Sequence, residues 1–267
     1  IHFGERNFGI GVMPICGGNA PMTIAGNIVV ASAEALGAAL AVKALAPDAT
    51  FSFAPCNGII DMRKGTASFN APEALLADLG MCELFNRRYG GGATVAALAD
   101  YVDGALPSIQ VAYERTYRAM AIAAFVGEHF YLGGQGTLDA GQVFSPVQFI
   151  LERDMAEGIW RFGQGIEVSD ETIGLEVIQA VGVGEGRSYL ETEHTLRHFR
   201  ETWFTRFLYR GVYEDNAVEL ARDRQMLDAA NQHYKDAIAR YRPPAADETR
   251  QKDMRKIVEK ARQTLSI

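Results

Sequence analysis

Residues Pro14–Thr23, with the sequence PICGGNAPMT, lie between a short apolar run and a long Ala-rich run, Ile24–Leu45. The same order recurs further along the chain, where the apolar FSFA of Phe51–Ala54 precedes the polar loop PCNG of Pro55–Gly58. An apolar run, a Gly-rich or polar loop and then a helix form the pattern of a strand–loop–helix unit. Loops after the carboxyl ends of parallel strands carry the functional groups of α/β proteins. The pattern therefore predicts an α/β fold whose functional residues lie in these loops.

Four such strand–helix units are predicted in the first 170 residues. Their strands are Phe8–Met13, Phe51–Ala54, Ala93–Leu98 and Phe130–Leu132, and their helices are Met22–Leu45, a helix opening at Asn70-Ala71-Pro72-Glu73, Pro107–Phe125 and a helix opening at Ser145. In the two helix openings, Asn70 and Ser145 are the predicted caps, and Pro72 and Pro146 are predicted to lie in the first turn. Repeated units of this kind favour a parallel sheet with right-handed crossovers. Four units are half of a (β/α)8 barrel.

After about Asp170 the pattern becomes all-helical, with helices predicted near Ser188, over Tyr213–Tyr241 and over Glu248–Leu265. We therefore expect two domains. Residues 1–169 would form a partial barrel that carries the ligand loops, and residues 170–267 would form a helical carboxyl-terminal extension that packs on it.

Composition excludes several classes of function. The 267 residues have a net charge of −7 and a pI near 5.3, which argues against nucleic-acid binding because that function favours a clustered basic surface. We expect no membrane span, because no apolar run looks long enough, and the first residues lack a signal-peptide pattern. The three cysteines are widely spaced and are interpreted as reduced thiols. These features predict a cytoplasmic protein.

Three short motifs resemble those of one family. They are AEAL at residues 33–36, DMRKG at residues 61–65 and HTLRHFR at residues 194–200. In this order, and together with the two loops above, they closely resemble the trimethylamine methyltransferase family. The likeness extends over nearly the whole chain and corresponds to the carboxyl-terminal half of a family member.

The resemblance implies a TIM-type barrel, here a partial barrel, and a methyltransferase of the EC 2.1.1 class. It implies transfer of a methyl group from a methylated amine to a corrinoid protein, so that the corrinoid (cobalamin) is carried by a partner and not held tightly by this chain. Half a parallel barrel leaves strand edges and an apolar sheet face uncovered, which predicts a homo-oligomer.

Departures from the family pattern narrow the substrate. The chain has no pyrrolysine, the family's Lys is missing from residues 91–100, and Gly133 stands where we align a family His. The lack of pyrrolysine favours a quaternary amine such as a betaine over a tertiary amine. The missing Lys and His instead favour the alternative, a non-catalytic scaffold that keeps a quaternary-amine site but has lost methyl transfer.

A methylated ammonium has no N–H to donate, so carboxylates and aromatic ring faces would hold it. Asp61 and Asp100, in loops after the second and third predicted strands, are the candidate catalytic residues; they could also be helix caps or solvated charges. Arg63 is a candidate partner for the carboxylate of a betaine, although it could instead pair with Asp61 or Glu73.

The remaining candidate substrate-binding residues are of three kinds. Phe53 and Tyr131 could belong to an aromatic cage or to the core. Cys56 could be a nucleophile or a small buried thiol. Short polar groups in the loops could orient the substrate or satisfy turns; they are Asn19, Thr23, Asn57 and Gln135. We expect the loops at residues 61–65 and 133–136 to face one cavity, because right-handed parallel units put all such loops on one side.

His194 and His198 stand four residues apart, which places both imidazoles on one face of a helix. A metal could bind there with Glu191 or Glu193. The stretch lacks the Glu of the His-Glu-x-x-His motif, however, and offers no matched third ligand. The sequence therefore predicts no metal site.

Overall fold

The computed structural model describes residues 7–90, 101–127, 131–182, 186–207, 222–242 and 247–265. The strands found there are β1 (Asn7–Val12), β2 (Ile15–Cys16), β3 (Thr50–Pro55), β4 (Gly58–Asp61), β5 (Thr66–Ser68), β6 (Thr137–Leu138) and β7 (Val143–Phe144). The α-helices are α1 (Ile24–Leu45), α2 (Pro72–Tyr89), α3 (Ile109–Val126), α4 (Pro146–Gly163), α5 (Asp170–Ile173), α6 (Leu175–Val181), α7 (Glu193–His198), α8 (Arg222–Arg240) and α9 (Glu248–Leu265).

The first two predicted strands are confirmed, and they pair in parallel. Phe8 of β1 lies opposite Phe51 of β3, and Val12 lies opposite Pro55. The pairing continues past these ends, because the backbone N–H of Cys56 donates to the carbonyl of Val12 at 2.8 Å and β2 then pairs in parallel with β4. The two strand segments therefore form one long parallel pair that starts at the exposed Asn7 and Thr50, becomes buried at Val12 and Pro55, and continues as β2 and β4.

Two features of the predicted barrel differ in the structure. The strand β4 turns back into the antiparallel strand β5 before α2 begins, so the second unit contains a hairpin that the sequence did not predict. Tyr131 and Leu132, within the fourth predicted strand, are not in a strand. The glycines that follow them explain this, because Gly134 and Gly136 have φ values of 51° and 81°, which end an extended segment.

The third predicted strand, Ala93–Leu98, lies outside the described residues. The described residues form a mixed α/β structure in which no closed barrel is present.

Local signals set the helix boundaries. The predicted first-turn prolines, Pro72 and Pro146, begin α2 and α4, and Ser145 caps α4 by accepting a hydrogen bond from the Gln148 N–H. Gly90 ends α2 in the left-handed conformation, at φ 74°. The prediction that Asn70 caps α2 is wrong: the capping position is Ala71, and the Asn70 side chain donates instead to the carbonyl of Tyr101.

The core consists of two main apolar clusters that meet at α2. One packs α1 and α2 against β1 and β3, and its buried members include Ile10, Val12, Ala35, Met81 and Phe85. The other packs α2, α3 and α4 together, and its buried members include Leu75, Cys82, Ala119, Ile122 and Ile159. The helix α2 therefore connects the strand layer to the helical layer.

The helix α1 corrects the expectation that no segment is long and apolar enough for a membrane. By length and composition alone this 22-residue helix meets that criterion, and only 17% of its most apolar window is buried. The core helix of a soluble protein meets the same criterion, so the observation is weak evidence for a membrane span. Its exposed apolar side chains include Val29 and Leu40.

The described residues up to Asn231 form one compact unit, and those from Gln232 onward form a second, which contains the end of α8 and α9. The helix α9 has no buried residue. The predicted domain division between residues 169 and 170 stays a prediction.

Candidate functional site

A buried carboxylate lies where β3 ends. Asp78 of α2 is fully buried, and its Oδ1 accepts hydrogen bonds from the backbone N–H and the side-chain amide of Asn57, both at 2.8 Å. Its Oδ2 accepts from Arg118 Nη2 of α3, also at 2.8 Å. Asn57 lies two residues after the end of β3. Through Asn57, the Asp78–Arg118 ion pair therefore connects the end of this strand to α2 and α3.

Burial governs the ionisation of this region. Desolvation raises the pKa of Asp78 to about 6, and the nearby Arg118 guanidinium only partly offsets it. Asp78 is therefore ionised at neutral pH and takes up a proton in mild acid. Burial, with a smaller effect of the Asp78 charge, raises the pKa of Cys82 to about 12, which keeps this thiol protonated and unreactive.

Three buried amides surround the same strand ends. Asn27 donates to the carbonyl of Pro14 at 3.3 Å, and Asn70 donates to the carbonyl of Tyr101 at 2.6 Å. The side-chain oxygens of Asn27, Asn57 and Asn70 are buried and have no hydrogen-bond partner among the described residues. Buried acceptors are nearly always paired in native proteins, so each of these three oxygens marks a point where a ligand or water would supply the missing contact.

A second buried ion pair lies one helical turn from the first. Arg115 of α3 and Glu152 of α4 are 2.8 Å apart and almost completely buried. Glu152 also accepts from the backbone N–H of Gly136 at 2.7 Å, and Arg115 donates to the carbonyl of Thr137 at 3.0 Å. Arg115 and Glu152 border an apolar cavity of about 730 Å³ between α3 and α4, and Arg115 Nη1 has no partner among the described residues.

Of the predicted substrate-binding residues, Asn57 lies in the strand-end network. Cys56 is half-buried against the cluster of α2, α3 and α4, and Phe53 packs in the core with its ring centroid 4.9 Å from that of Phe85. Their proposed roles in ligand binding stay predictions.

The predicted residues of the DMRKG motif form a hairpin turn. Asp61 is the last residue of β4, and its Oδ1 accepts from the backbone N–H of Arg63 at 2.9 Å. This bond is the main cause of a lowered pKa for Asp61. The Arg63 side chain is 92% exposed and lies 3.4 Å from Asp61, so it pairs within its own turn. Asp100 lies outside the described residues.

Two other predicted residues support local structure. Asn19 accepts from the backbone N–H of Ile15 at 2.6 Å and closes the Gly-rich turn after β2. Thr23 precedes α1 at the capping position, without a side-chain capping bond.

Tyr131 and Gln135 lie together. Both line a groove of about 1130 Å³, whose other walls include Arg153, Trp160 and Trp203. The hairpin turn at residues 61–65 is not part of that lining, so a cavity shared by the two loops stays a prediction.

A family model described as trimethylamine methyltransferase (MTTB) matches residues 1–266. The chain belongs to the trimethylamine methyltransferase family. This confirms the assignment made from the motifs, and it makes the chain a member of a family of methyltransferases that act on methylated amines.

Several curated proteins of the family are similar to the chain. It is 28% identical over 249 residues to trimethylamine methyltransferase MttB2 of Methanosarcina mazei, covering 93% of this chain and 48% of that protein. It is 29% identical over 258 residues to trimethylamine methyltransferase MttB of Methanosarcina barkeri, covering 95% and 50%. It is 25% identical over 244 residues to the glycine betaine methyltransferase of Desulfitobacterium hafniense, covering 89% and 48%. The chain thus spans about half the length of these family members, corresponding to their carboxyl-terminal half.

Reasoning from the sequence missed the four charged residues of the two buried ion pairs. A signal was present, because each lies among apolar residues at helical spacing: Asp78 follows Ala74 by four, and Arg115 lies midway between Val111 and Ala119. A charge on the core-facing side of a helix implies a buried partner, but spacing cannot identify that partner.

One group of side chains in this family member has the composition of a metal site. The ligand atoms of Glu171, His194 and His198 all lie within 4.8 Å of one another. His198 is also paired through its other ring nitrogen with Glu201, at 3.0 Å. Glu171 comes from α5, whereas the sequence offered Glu191 or Glu193, close to the histidines in the chain, as the third ligand.

Proposed function

We propose that this chain provides the carboxyl-terminal half of a methyltransferase that moves a methyl group from a quaternary amine, such as a betaine, to a corrinoid protein. The observation that carries the proposal is the family match over residues 1–266. Relatives named as trimethylamine and glycine betaine methyltransferases support the substrate class. The chain contains no pyrrolysine, which favours the quaternary amine.

A quaternary ammonium leaves as a neutral tertiary amine, so the reaction needs no acid to protonate the leaving group. The corrinoid partner, as the second substrate, supplies the nucleophile when it binds. The residues of this chain have to hold the cation, orient one methyl group and exclude water. Buried carboxylate and amide oxygens suit a cation whose methyl groups can make only weak C–H contacts with oxygen.

The strand-end network supports this role. It combines a buried carboxylate, Asp78, with three buried amide oxygens that lack partners among the described residues, on Asn27, Asn57 and Asn70. We propose that the three amide oxygens form part of the amine site, while Asp78, whose two oxygens already accept from Asn57 and Arg118, holds Asn57 in position. Asp61 and Asp100 stay our candidates for catalytic carboxylates, and Asn19, Thr23, Phe53, Cys56, Arg63, Tyr131 and Gln135 for substrate contacts.

We further propose that the chain forms part of a TIM-type barrel, self-associates and acts in the cytoplasm. Exposed apolar side chains on α1, such as Val29, Leu40 and Leu45, support an additional protein surface over this helix. The three relatives compared are all named as methyltransferases, which supports the transferase over a binding-only scaffold.

Calorimetric titration tests the proposed substrate. The chain would be titrated with glycine betaine and with trimethylamine, alone and together with the amino-terminal half of the D. hafniense betaine enzyme. We expect tighter binding of glycine betaine. Tighter binding of trimethylamine would overturn the quaternary-amine proposal, and absence of binding to either by the reassembled pair would overturn the amine site.

Two variants locate the site. Asn57→Ala removes an amide in the strand-end network and should weaken betaine binding by about 10-fold, a loss of about 1.4 kcal/mol. Arg87→Ala, at an exposed residue paired with Glu83 on the outside of α2, is the control and should bind as the unmodified protein does. Equal affinities in all three proteins would remove Asn57 from the site.

Methyl transfer itself would be followed by the absorbance change of free cob(I)alamin as it becomes methylated. Turnover with glycine betaine by the reassembled pair supports the transferase. Betaine binding without any turnover would support the scaffold instead.

A further inference from the structure

Two histidines of α7 lie side by side. Thr192 caps this helix by accepting a hydrogen bond from the Thr195 N–H, which fixes the first turn. His194 and His198 then lie four residues apart on one face, with ring centroids 4.5 Å apart. Both residues are half-buried, so their rings have restricted freedom but stay accessible from solvent.

The structure supplies the third ligand that spacing did not reveal. Ser169 and Thr172 form a reciprocal capping box that fixes the short helix α5 and with it Glu171. Glu171 Oε1 lies 3.3 Å from His198 Nε2, and the Glu171 carbonyl oxygen lies 3.1 Å from His194 Nε2.

Gly174, which ends α5, permits this approach. It has a φ of 62°, and a Cβ there would lie only 3.2 Å from His194 Nε2. A side chain at this position would therefore crowd the ring.

These distances suit a transition-metal ion. Zinc binds His nitrogen and Glu oxygen at about 2.0–2.2 Å in tetrahedral geometry, which places neighbouring ligand atoms roughly 3.3 Å apart. The Glu171–His198 pair already has this spacing. Since all three ligand atoms lie within 4.8 Å of one another, small side-chain rotations would complete the set.

The surroundings of His198 have the form of an outer coordination shell. Metal-bound histidines usually hydrogen-bond a carboxylate through the other ring nitrogen, which orients the ring. Glu201 Oε2 lies 3.0 Å from His198 Nδ1 and so directs Nε2 toward Glu171. Arg197 Nη1 lies 2.9 Å from Glu171 Oε1 and holds that carboxylate beside the histidines.

We propose that Glu171, His194 and His198 form a three-ligand site for a divalent transition-metal ion such as Zn²⁺, with Glu201 as the orienting carboxylate. Imidazole and carboxylate ligands suit zinc, cobalt and nickel and are a poor set for magnesium or calcium. The ion joins α5 to α7, two short helices that have no buried residue of their own. Glu171 is exposed and both histidines are half-buried, so water could complete the coordination of the ion.

Calorimetry with Zn²⁺ tests the site directly, on the purified full chain without an affinity tag and after chelator treatment. We expect about one ion per chain. Co²⁺ should give the intense visible absorption of a tetrahedral site without the thiolate charge-transfer band that cysteine ligands produce.

The variants His194→Gln, His198→Gln and Glu171→Gln should each weaken Zn²⁺ binding by more than about 10-fold, and Glu201→Gln by about 10- to 100-fold. The matched controls are His233→Gln on α8 and Glu176→Gln on α6, both at exposed positions, and these should bind as the unmodified chain does. Circular dichroism would verify that each variant stays folded.

Two results would overturn the proposal. One is an absence of Zn²⁺ and Co²⁺ binding at micromolar concentrations, in which case His198 is held by its two carboxylates alone. The other is binding that survives in both histidine variants, because the ion would then lie elsewhere in the chain.

Discussion

The two buried arginines of α3 each bond to a buried carboxylate and to a backbone carbonyl of a loop, but only one of them is fully paired. Arg118 bonds to Asp78 with one terminal nitrogen and to the carbonyl of Phe69 with the other, at 2.8 and 2.9 Å. Arg115 bonds to Glu152 and to Thr137, yet its Nη1 has no partner among the described residues. The Arg118 pair therefore behaves as a complete clamp on the end of β3.

The Arg115 pair differs in its surroundings as well. It borders the apolar cavity between α3 and α4, whereas the Arg118 pair lies among the asparagines of the strand ends. A buried donor beside an apolar cavity carries a desolvation cost that an additional acceptor would relieve. The comparison shows that the same Arg–carboxylate contact can occur with both terminal nitrogens bonded, as at Arg118, or with one terminal nitrogen left available to a further acceptor, as at Arg115.

Removal of one partner from the Arg115 pair should give the largest effect. Glu152→Ala leaves a guanidinium buried and unpaired, so we expect the free energy of unfolding to fall by about 3–5 kcal/mol. Urea denaturation would measure it. Glu157→Ala, on the exposed side of the same helix and 3.6 Å from Arg206, should lower stability by less than about 1 kcal/mol.

Replacement of both partners sharpens this test. The double variant Arg115→Met with Glu152→Leu should recover most of the loss, because apolar groups of similar size often replace a buried ion pair at little cost. A double variant as unstable as Glu152→Ala would contradict the account based on an unpaired charge.

The ionisation of Asp78, the partner of Arg118, should make the free energy of unfolding depend on pH. Between about pH 4 and pH 6 the folded protein keeps a proton on Asp78 that the unfolded chain has released, because burial raises the pKa of this carboxyl to about 6. The stability contributed by Asp78 is therefore complete below pH 4 and is lost as pH rises to 6, by about 3 kcal/mol in total.

Urea denaturation of the unmodified protein and of Asp78→Asn at several pH values would measure this contribution. Relative to Asp78→Asn, the unmodified protein should lose stability as the pH rises from about 4 to about 6. Above about pH 6 the difference in the free energy of unfolding between the two proteins should stay constant. Glu83→Gln, at an exposed residue of the same helix, is the control and should show no such shift. A difference between Asp78→Asn and the unmodified protein that moves in the unmodified protein's favour as pH rises would contradict the raised pKa.

Gly136, whose N–H donates to Glu152, tests how tightly the Arg115 loop is built. Its φ is 81°, and a Cβ there would lie 2.8 Å from atoms of Phe144 and Phe149. Gly136→Ala should therefore lower stability by about 2–4 kcal/mol, from backbone strain and overpacking together.

Gly65 provides the matched control for Gly136. It has a φ of 69°, and a Cβ at this position would have no other atom within 4 Å among the described residues, so Gly65→Ala should cost only the strain of about 1–2 kcal/mol. Equal losses in the two variants would show that the loop at Gly136 relaxes around the added methyl group.

The smallest effect is expected in the hairpin turn. Arg63→Ala removes an exposed side chain that pairs within its own turn, so the urea midpoint should not change measurably. A clear loss of stability would mean that Arg63 has a structural partner and is not available to a betaine carboxylate.

Local patterns in the sequence were enough for several elements. The prolines at 72 and 146 predicted the starts of α2 and α4, and the periodicity of the last segment predicted α9 as Glu248–Leu265. The motifs at residues 33–36, 61–65 and 194–200 identified the family. Each of these signals depends on residues within a few positions of one another, and such short-range relations are visible in the sequence itself.

Long-range partners were not visible in this way. The hairpin of β4 and β5 lies where the sequence predicted a loop. Asp78 pairs with Arg118, forty residues away, and His198 contacts Glu171, twenty-seven residues away. Whether a charge is buried and paired depends on which helix packs against it, and this is settled by topology and not by neighbours in sequence. The sequence alone thus established the family, the first parallel strand pair and the starts of α2, α4 and α9, whereas folding in three dimensions determined the partners of the buried charges and brought Glu171 beside the histidines.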